Sequence, residues 1–547
     1  MLSVDNIQRF QESKFWDIYI FLDFDFIGFK LFSLISFLIL ISNSTIFKLL
    51  SVYYSSRYAS WIGKDISNLT FDSTIRLPYK YQININKSIC ISLLTDKLNR
   101  LVSMIMGLLN TLLNLLIAIF IIISMALINF KITVNLITIL ALIYLLILLK
   151  VKRNLSNIGN VLSRDASKRI SILNDTLSHI KDVIIGQQQN YVSNKFEIIS
   201  KRIFDKKADG EIIKNLPKPI IETTGIILIA SVGFYFSEID NYNSKNLLPL
   251  LATFAVGFQR LLPNLQSIYS SWTRIRVCKS SVISILNVID KYKKFSQEKD
   301  LKSKAPQNME DNWELNFRKV CFRYETNNQN VLSNVDLKIK GGERIGVIGH
   351  SGSGKSTFVD LLVGLLQPST GKILLNNQDL HADDKFINLV TWWSHLSLVP
   401  QEIFLYNNSI YKNINPFLGN IKDDNYAWDV LKSVGLFKFV DSLPDKLNTT
   451  VGEDGTILSG GQKQRISIAK ALYKKSKIII FDESTSALDP RTEKLFLNTI
   501  KNLDKKLTII MISHKFSSLT LCDRILKIES NQLIEITDRA LGDYFKN

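Results

Sequence analysis

The chain has 547 residues, of which 46% are hydrophobic, and a formal net charge of +18 at pH 7. This length exceeds the usual size of one hydrophobic core and predicts at least two domains. The four cysteines, Cys90, Cys278, Cys321 and Cys522, are widely separated and form no CxxC pair, which argues against a disulfide framework or a cysteine metal site and favours reduced, packed thiols.

The N-terminal 29 residues lack the basic start, apolar core and small-residue cleavage site of a secretory signal. Within them, the apolar stretch "FWDIYIFLDFDFIGF" carries Asp17, Asp23 and Asp25. Three carboxylates are too costly in hydrocarbon, so the stretch is predicted to be an interfacial helix and not a membrane span.

Long uncharged runs come next. Lys30 and Lys48 enclose seventeen residues without charge, Arg100 and Lys131 enclose thirty, and Lys131 and Lys150 enclose eighteen. Such runs fit the ~20 apolar residues that cross a bilayer. With two weaker runs further on, the pattern predicts an α-helical transmembrane domain over residues 1–275 with five spans, at 30–50, 104–128, 132–150, 219–237 and 246–266.

The last 240 residues differ in pattern. Short apolar runs alternate there with turns and amphipathic helical stretches, as in a soluble α/β domain. We therefore predict a linker over residues 276–307 and an α/β domain over residues 308–547.

The basic residues are unevenly distributed. Residues 51–103 hold seven Lys or Arg and residues 150–218 hold fourteen, whereas the short connections near Lys131 and Lys245 hold one each. This asymmetry is the positive-inside pattern and places both long loops and the C-terminal domain in the cytoplasm. Because aromatic and basic residues do not interleave, we expect no nucleic-acid partner.

A phosphate-binding loop opens the C-terminal domain. "RIGVIGHSGSGKSTFVDLLVGLL" runs from an apolar strand through glycines into an amphipathic helix and satisfies GxxxxGK[ST]. Its glycines let backbone N–H groups approach phosphates, Lys355 reaches the β- and γ-phosphates, and the Ser356 hydroxyl ligates Mg²⁺. The predicted ATP-binding residues are Gly349, Ser351, Gly352, Ser353, Gly354, Lys355, Ser356 and Thr357.

Two carboxylates follow a second apolar run. In "KIIIFDESTSALD", the residues 478–481 predict a buried parallel strand that delivers Asp482 and Glu483 to its carboxyl end, where α/β sheets place ligands. We expect Asp482 to hold Mg²⁺ and Glu483 to polarise the attacking water.

The stretch "LSGGQKQR", residues 458–465, predicts a second phosphate cradle. Ser459, Gly460, Gly461 and Gln462 open a helix whose first turn offers a hydroxyl and a cluster of backbone N–H groups. One ATP does not need two cradles from one subunit, whereas two subunits packed head to tail do. The sequence therefore predicts an isologous homodimer with ATP between the chains.

Together these segments resemble the ATP-binding cassette (ABC) transporters, whose signature motif "LSGGQKQR" matches in full. The resemblance implies roles for four more residues. Gln401 matches the Q-loop that contacts Mg²⁺ and the reacting water, Asp489 the D-loop, His514 the switch histidine on the γ-phosphate, and Tyr324 the aromatic that stacks on adenine. Taken alone, His514 and Tyr324 are more typical of packed residues near strand ends.

Within the family, the chain is most similar to exporters that place two cytoplasmic extensions against the ATPase. Residues 51–103 and 150–218 have the matching lengths, with a coupling turn expected near residues 186–191. Family exporters have six spans per half, and this sequence starts where the first would have ended. The start codon is then misplaced, the chain is truncated, or a partner supplies the helix. The pair Trp392 and Trp393 matches no motif and is interpreted as packing.

The segments 217–226 and 258–276 resemble flippases of lipid-linked oligosaccharides, which implies a bacterial plasma membrane location and membrane lipid as a partner. Arg260, inside the last predicted span, is a candidate for the pyrophosphate of the cargo, and Arg57 a second; the alternative is snorkelling. Export of a peptide, another lipid or a drug-like molecule stays open, as does a membrane-tethered regulatory ATPase.

Overall fold

The computed structural model describes residues 26–83, 86–237, 244–298, 309–324, 329–382, 386–416, 423–484 and 490–536. Asp17, Asp23 and Asp25 of the expected interfacial helix, and Asp489 of the D-loop, lie outside this part of the chain. The chain forms two compact units: residues 1–77 with 84–293, and residues 78–83 with 294–547.

The first unit is helical. Its helices are α1 (Phe26–Ile75), α3 (Lys87–Ser92), α4 (Leu98–Ile128), α5 (Phe130–Ser178), α6 (Ile180–Ile185), α7 (Gln189–Asn215), α8 (Pro217–Ser237) and α9 (Ser244–Glu298). A π-helical turn, Leu93–Lys97, joins α3 to α4, and the short helix α2 (Tyr79–Gln82) belongs to the second unit.

All five predicted spans fall within these helices. In the described residues, two continuous helical stretches are long and apolar enough to cross a membrane, Lys87–Ile128 and Phe130–Ser178. They contain the predicted spans 104–128 and 132–150. The spans predicted at 30–50, 219–237 and 246–266 lie in α1, α8 and α9.

The segment expected to be a linker is largely helical. Helix α9 continues through Glu298, so residues 276–298 of the predicted 276–307 linker extend it. Their apolar residues have partners: Ile285 and Ile289 are buried against Leu93 and Leu101. This part of the segment is helical because some of its periodic apolar residues pack on neighbouring helices, while Ile283 and Leu286 remain exposed.

Close backbone contacts and a buried ion cluster hold helices α5, α7 and α9 of the first unit together. Asp165 on α5 is fully buried, with Arg164 and Arg202 nitrogens each 3.3 Å from its oxygens. Nearby, Gly159 lies so close to α9 that a Cβ built on it would collide with the Val277 carbonyl oxygen. The absent side chain at Gly159 therefore sets the separation of α5 and α9.

The second unit contains two sheets. The larger has the strand order β10-β9-β3-β8-β7-β6, from β3 (Arg344–Gly349), β6 (Leu396–Val399), β7 (Ile478–Asp482), β8 (Thr508–Ile512), β9 (Arg524–Glu529) and β10 (Gln532–Ile536). All its pairings are parallel except β9 with β10. The smaller, antiparallel sheet has the order β2-β1-β4-β5, from β1 (Glu314–Phe322), β2 (Leu332–Lys340), β4 (Thr370–Leu375) and β5 (Gln378–Asp379).

Helices flank these sheets. They are α10 (Lys355–Leu362), α11 (Phe386–His395), α12 (Ile410–Ile414), α13 (Asp424–Ser433), α14 (Phe437–Asp441), α15 (Gly460–Tyr473), α16 (Pro490–Lys501) and α17 (Phe516–Leu519). Residues 478–481 of β7 are all fully buried, as the uninterrupted apolar run predicts for a strand covered on both faces. The α/β prediction for the C-terminal domain is confirmed.

We predict that Gly159→Ala destabilises the first unit, because the new methyl group must displace the α9 backbone at Val277. The expected loss is about 1–3 kcal/mol, the usual cost of overpacking, measured as a lower midpoint of thermal unfolding in detergent. Gly210→Ala on α7 is the control, since its Cβ would meet only Ile158 Cγ2 at 4.0 Å and alanine favours helix. An unchanged or raised midpoint for Gly159→Ala would contradict the packing argument.

Candidate functional site

Four neighbouring parallel strands end at one edge of the larger sheet. Val347 of β3 and Asp482 of β7 both pair with Ile512 of β8, and Phe481 pairs with Val399 of β6. The segments that leave these strands therefore start side by side. They carry the phosphate loop, His514, the Asp482–Glu483 pair and Gln401.

The phosphate loop has a backbone that requires glycine. Gly352 and Gly354 have φ values of +79° and +102°, in the left-handed region that side chains rarely adopt. Gly354 is the N-cap of α10, so the loop feeds directly into the helix. The N–H groups of its first turn have no partners within the helix and are suited to bind phosphate.

Lys355 lies at the centre of a compact polar cluster. Its side chain is 8% exposed, and its ammonium donates to the carbonyl oxygens of Gly349 at 2.8 Å and His350 at 3.2 Å. The same Nζ lies 2.8 Å from His514 Nε2 and 3.6 Å from Glu483 Oε1. His514 Nε2 is 3.1 Å from that Glu483 oxygen. The structure thus brings together three predicted catalytic residues that are up to 159 positions apart in the chain.

Glu483 has an unusual backbone. Its φ is +46°, in the left-handed region, which is strained for a residue with a side chain. A hydrogen bond from its N–H to the Ile512 carbonyl oxygen, 3.0 Å long, holds this conformation. The turn directs the Glu483 carboxylate back towards Lys355 instead of along the strand.

The adjacent Asp482 lies in a poorly solvated position. Burial raises the pKa of its carboxyl, the Glu483 charge raises it further, and Lys355 partly offsets both. Burial, with the Asp482 charge added, raises the pKa of Asp360 on α10 to about 6. Carboxylates whose charge is this poorly compensated suit a bound cation. Asp482 with the exposed Ser356 hydroxyl fits Mg²⁺, which prefers oxygen ligands and needs few from protein when phosphates supply the rest.

The predicted adenine-stacking residue lies beside the phosphate loop. Tyr324 is half-buried, and its hydroxyl is 3.0 Å from Thr357 Oγ1 in the first turn of α10. Its ring packs edge to face on Phe322, with centroids 5.0 Å apart. The contact with Thr357 holds Tyr324 next to the phosphate loop, where the adenine base would lie.

The predicted second cradle is a self-capped helix start. Ser459 is the N-cap of α15: its hydroxyl accepts from Gln462 N–H at 3.3 Å, and Gln462 Oε1 accepts from Ser459 N–H at 2.8 Å. Ser459 and Gly460 are exposed, and a Cβ on Gly460 would meet nothing within 4 Å. In the described part of the chain, no hydrogen bond or ion pair joins Ser459 or Gln462 to Lys355.

The remaining predicted residues are placed as follows. Gln401 is exposed, two residues beyond the end of β6. In the first unit, Arg57 lies over the Tyr53 ring, 5.5 Å from its centroid. Arg260 is exposed on α9.

Comparison with known proteins agrees with this arrangement. The sequence model of the "ABC transporter transmembrane region" matches residues 20–261, and that of the "ABC transporter" ATP-binding domain matches residues 332–486. The chain belongs to the ABC transporter family. Its C-terminal domain is therefore an ATP-binding domain and its N-terminal unit a membrane domain, as the motifs predicted.

Individual relatives give narrower matches. An export ATP-binding/permease protein of Rickettsia typhi is 39% identical over 42% of this chain and 39% of its own length. An ATP-dependent lipid A-core flippase of Pseudoalteromonas translucida is 34% identical over 64% of this chain and 58% of its own, and one of Pectobacterium atrosepticum is 27% identical over 70% and 66%. The chain thus matches about two fifths to two thirds of the length of these relatives.

The fold has a solved counterpart. The structure of a bacterial Atm1-family ABC exporter with ATP bound superposes with a TM-score of 0.75, covers 89% of this chain and 84% of its own, and is 22% identical. This agreement supports the exporter fold.

Sequence reasoning missed a link between α10, which follows the phosphate loop, and α15, which Ser459 opens. The indole N–H groups of Trp392 and Trp393 donate to the carbonyl oxygens of Leu362 and Val363, at 3.0 and 2.8 Å, at the end of α10. Lys474, just after α15, donates to the carbonyl oxygens of Trp393 and Leu396, each at 2.6 Å. The available signal was that buried indole nitrogens require acceptors.

We predict that Trp393→Phe lowers the unfolding free energy by about 1–2 kcal/mol, because the Val363 carbonyl oxygen loses its indole donor. Trp428→Phe is a matched control: the indole of Trp428 packs on Phe437 and has no acceptor among the described residues. The midpoint of thermal unfolding of the full-length protein measures both. Equal shifts in the two variants would show that lost ring volume, not the hydrogen bond, causes the effect.

Proposed function

We propose that the chain is one half of an ATP-hydrolysing exporter that moves an amphipathic lipid across the bacterial inner membrane. The meeting of Lys355, Glu483 and His514 at one edge of the parallel sheet carries this proposal. A cation, a carboxylate and an imidazole at one point suit the charge that develops as phosphate leaves ATP.

Each residue has a distinct role in the proposed hydrolysis. The Lys355 ammonium and the N–H groups at the start of α10 bind the β- and γ-phosphates, and Tyr324 contacts the base. The Glu483 carboxylate accepts a hydrogen bond from the attacking water and takes its proton as the water oxygen bonds the γ-phosphorus. The bond to the bridging oxygen breaks, and ADP leaves with the electron pair.

The same edge would hold the cofactor. Ser356, Asp482 and Gln401 are the residues that would bind Mg²⁺, which when bound neutralises the phosphate oxygens. His514 Nε2 would donate to the γ-phosphate. Its position 3.1 Å from Glu483 Oε1 supports this role, because a carboxylate oxygen, like a phosphate oxygen, accepts a hydrogen bond from Nε2–H.

The exposed start of α15 supports a homodimer. This helix terminus consists of Ser459, Gly460, Gly461 and Gln462, and among the described residues it does not contact Lys355 of the same chain. Asp489 of the D-loop is expected at the same interface. A second chain placed head to tail would bring this terminus to the γ-phosphate held by Lys355. Each chain carries both halves, so two identical sites would form.

A lipid cargo is proposed from the relatives named lipid A-core flippases. Within that class, we propose a lipid-linked oligosaccharide or a similar amphiphile. Arg260 and Arg57 are then proposed to pair with its phosphates, since guanidinium groups bind phosphate by two hydrogen bonds.

We predict that Glu483→Gln binds ATP normally but hydrolyses it at least about 100-fold more slowly, because the amide cannot take the proton of the attacking water. Nucleotide binding is measured with a fluorescent ATP analogue and turnover by phosphate release. Glu529→Gln, at the exposed end of β9, should leave turnover unchanged. Full activity in Glu483→Gln would refute the assigned role.

We predict that Ser351→Cys and Ser459→Cys, combined in one chain that lacks the four native cysteines, form a disulfide dimer with ATP and Mg²⁺ but not without nucleotide. Both serines are exposed, and the head-to-tail arrangement brings one chain's Ser351 to the other's Ser459. Non-reducing gel electrophoresis measures the dimer, with each single variant as a control. Failure to cross-link while ATP binds would exclude the proposed dimer.

A further inference from the structure

A cavity of about 670 Å³ lies in the membrane domain, outside the nucleotide site. Its wall comes from the end of α7, from α8 and from α9. Most of the lining belongs to two facing stripes, one on each side. These stripes contain Lys214, Lys218, Glu222, Ile226 and Ile229, and Ala255, Phe258, Gln259, Leu262, Pro263, Gln266, Ser267 and Ser270.

The two sides of the cavity are antiparallel and firmly joined. Gln266 Nε2 donates to the Lys214 carbonyl oxygen at 3.0 Å, and the Tyr269 hydroxyl donates to the Ile213 carbonyl oxygen at 3.2 Å. Further along, Phe258 packs so closely on Gly225 that any Cβ there would collide with its ring. These contacts therefore fix the spacing of the helices that line the cavity.

The lining changes from polar to apolar along its length. Lys214, Lys218 and Glu222 are four residues apart, so they share one face of the helical stretch, and Ile226 and Ile229 continue that side. Because the opposite helix runs the other way, its polar Gln266, Ser267 and Ser270 lie near the lysines, and Ala255, Phe258 and Leu262 lie near the isoleucines.

The polar end has unsatisfied capacity for a ligand. Gln266 Oε1 is buried and has no hydrogen-bond partner in the part of the chain that the structure describes. Lys218 is exposed and forms no ion pair with any described residue, whereas Lys214 is 2.8 Å from Glu211. Glu211, outside the lining, already pairs with Lys214, so the lining lysine that has no ion pair among the described residues is Lys218. The buried Gln266 Oε1 requires a donor.

We propose that this cavity binds a lipid with a phosphate headgroup, and that this is the class of cargo which the exporter takes from the membrane. The phosphate pairs with Lys214 and Lys218, and a headgroup hydroxyl donates to Gln266 Oε1. The start of an acyl chain lies along Ile226 and Phe258. Basic pockets between transmembrane helices at the cytoplasmic side are suited to anionic headgroups, and the volume is typical of a ligand site.

This proposal rests on the proposed export function, but the residues that would bind the lipid are not those of the nucleotide site. Gln259 lines the cavity, whereas its neighbour Arg260 does not. Within this cavity the headgroup contacts are therefore the two lysines of α7 and α8, and Arg260, proposed above for the cargo phosphates, lies outside it. Lipid binding here requires neither Lys355 nor Glu483.

Native mass spectrometry of the full-length protein in detergent tests the site with three probes: oleoyl lysophosphatidic acid, mono-oleoyl glycerol without phosphate, and glycerol 3-phosphate without a tail. We expect the first to bind at least about tenfold more tightly than either of the others. If glycerol 3-phosphate binds as tightly as lysophosphatidic acid, the cavity recognises only phosphate. If mono-oleoyl glycerol binds as tightly, the cavity recognises only the apolar chain. Either result overturns the proposal.

Variants assign the residues. Lys214→Ala with Lys218→Ala should weaken lysophosphatidic acid binding at least about tenfold, and Arg at both positions should restore it. Lys201→Ala with Lys207→Ala, on α7 but outside the cavity, is the control. If the alanine pair fails to fold, the single variant Ala255→Phe provides the test. Its side chain fills the apolar end of the cavity and should by itself weaken the binding of lysophosphatidic acid. Binding unchanged in the alanine pair or in a folded Ala255→Phe overturns the proposal.

The proposed export function and the proposed lipid site can be rejected independently of each other. Glu483→Gln should still bind lysophosphatidic acid like the unaltered protein, so a lipid signal in this variant without turnover isolates the cavity from hydrolysis. Absence of ATP hydrolysis in the unaltered protein, with lipid binding intact, would reject the exporter function and keep the site. Normal hydrolysis with no lipid binding would reject the site and keep the ATPase.

Discussion

The parallel pairing of β3, β8, β7 and β6 is the constraint on which the nucleotide site depends. Strands that run in the same direction bring their carboxyl ends to one edge, and each of these strands is followed by one part of the chemistry. Lys355 follows β3, His514 follows β8, Glu483 follows β7 and Gln401 follows β6. The buried isoleucines of β7 and β8 keep this register, so apolar packing determines where charged groups meet.

Helices α10 and α15 of the ATP-binding domain have separate starts and are connected at their other ends. The start of α10 carries Lys355, and the start of α15 carries Ser459 in an exposed turn. At the other ends, Trp393 and Lys474 bridge the helices through backbone carbonyl groups. Both donors bind backbone carbonyl oxygens, so the bridge fixes the positions of the two helix ends relative to each other.

Local signals were sufficient for much of this structure. The phosphate loop, the strand at residues 478–481 and the helix opened by Ser459 follow from short-range rules for glycine, apolar runs and capping. The sequence also grouped Lys355, Glu483 and His514 by motif, but their contacts within 4 Å come only from the sheet register.

What local reasoning could not supply was long-range partnership. Trp392 and Trp393 donate to carbonyl groups thirty residues away, and no local pattern indicates that distance. The extension of α9 to Glu298 was missed for the same reason, since Ile285 and Ile289 pack on residues almost two hundred positions earlier. The cavity by Lys218 likewise depends on how two antiparallel helices diverge.

The reciprocal hydrogen bonds between Ser459 and Gln462 have a consequence for the entropy of binding at the start of α15. Two amides of this turn, those of Ser459 and Gln462, are satisfied within it, which keeps the turn ordered in water. The N–H groups of Gly460 and Gly461 take no part in these bonds. An anion bound by them would meet a turn that is already ordered, so its binding would cost little conformational entropy.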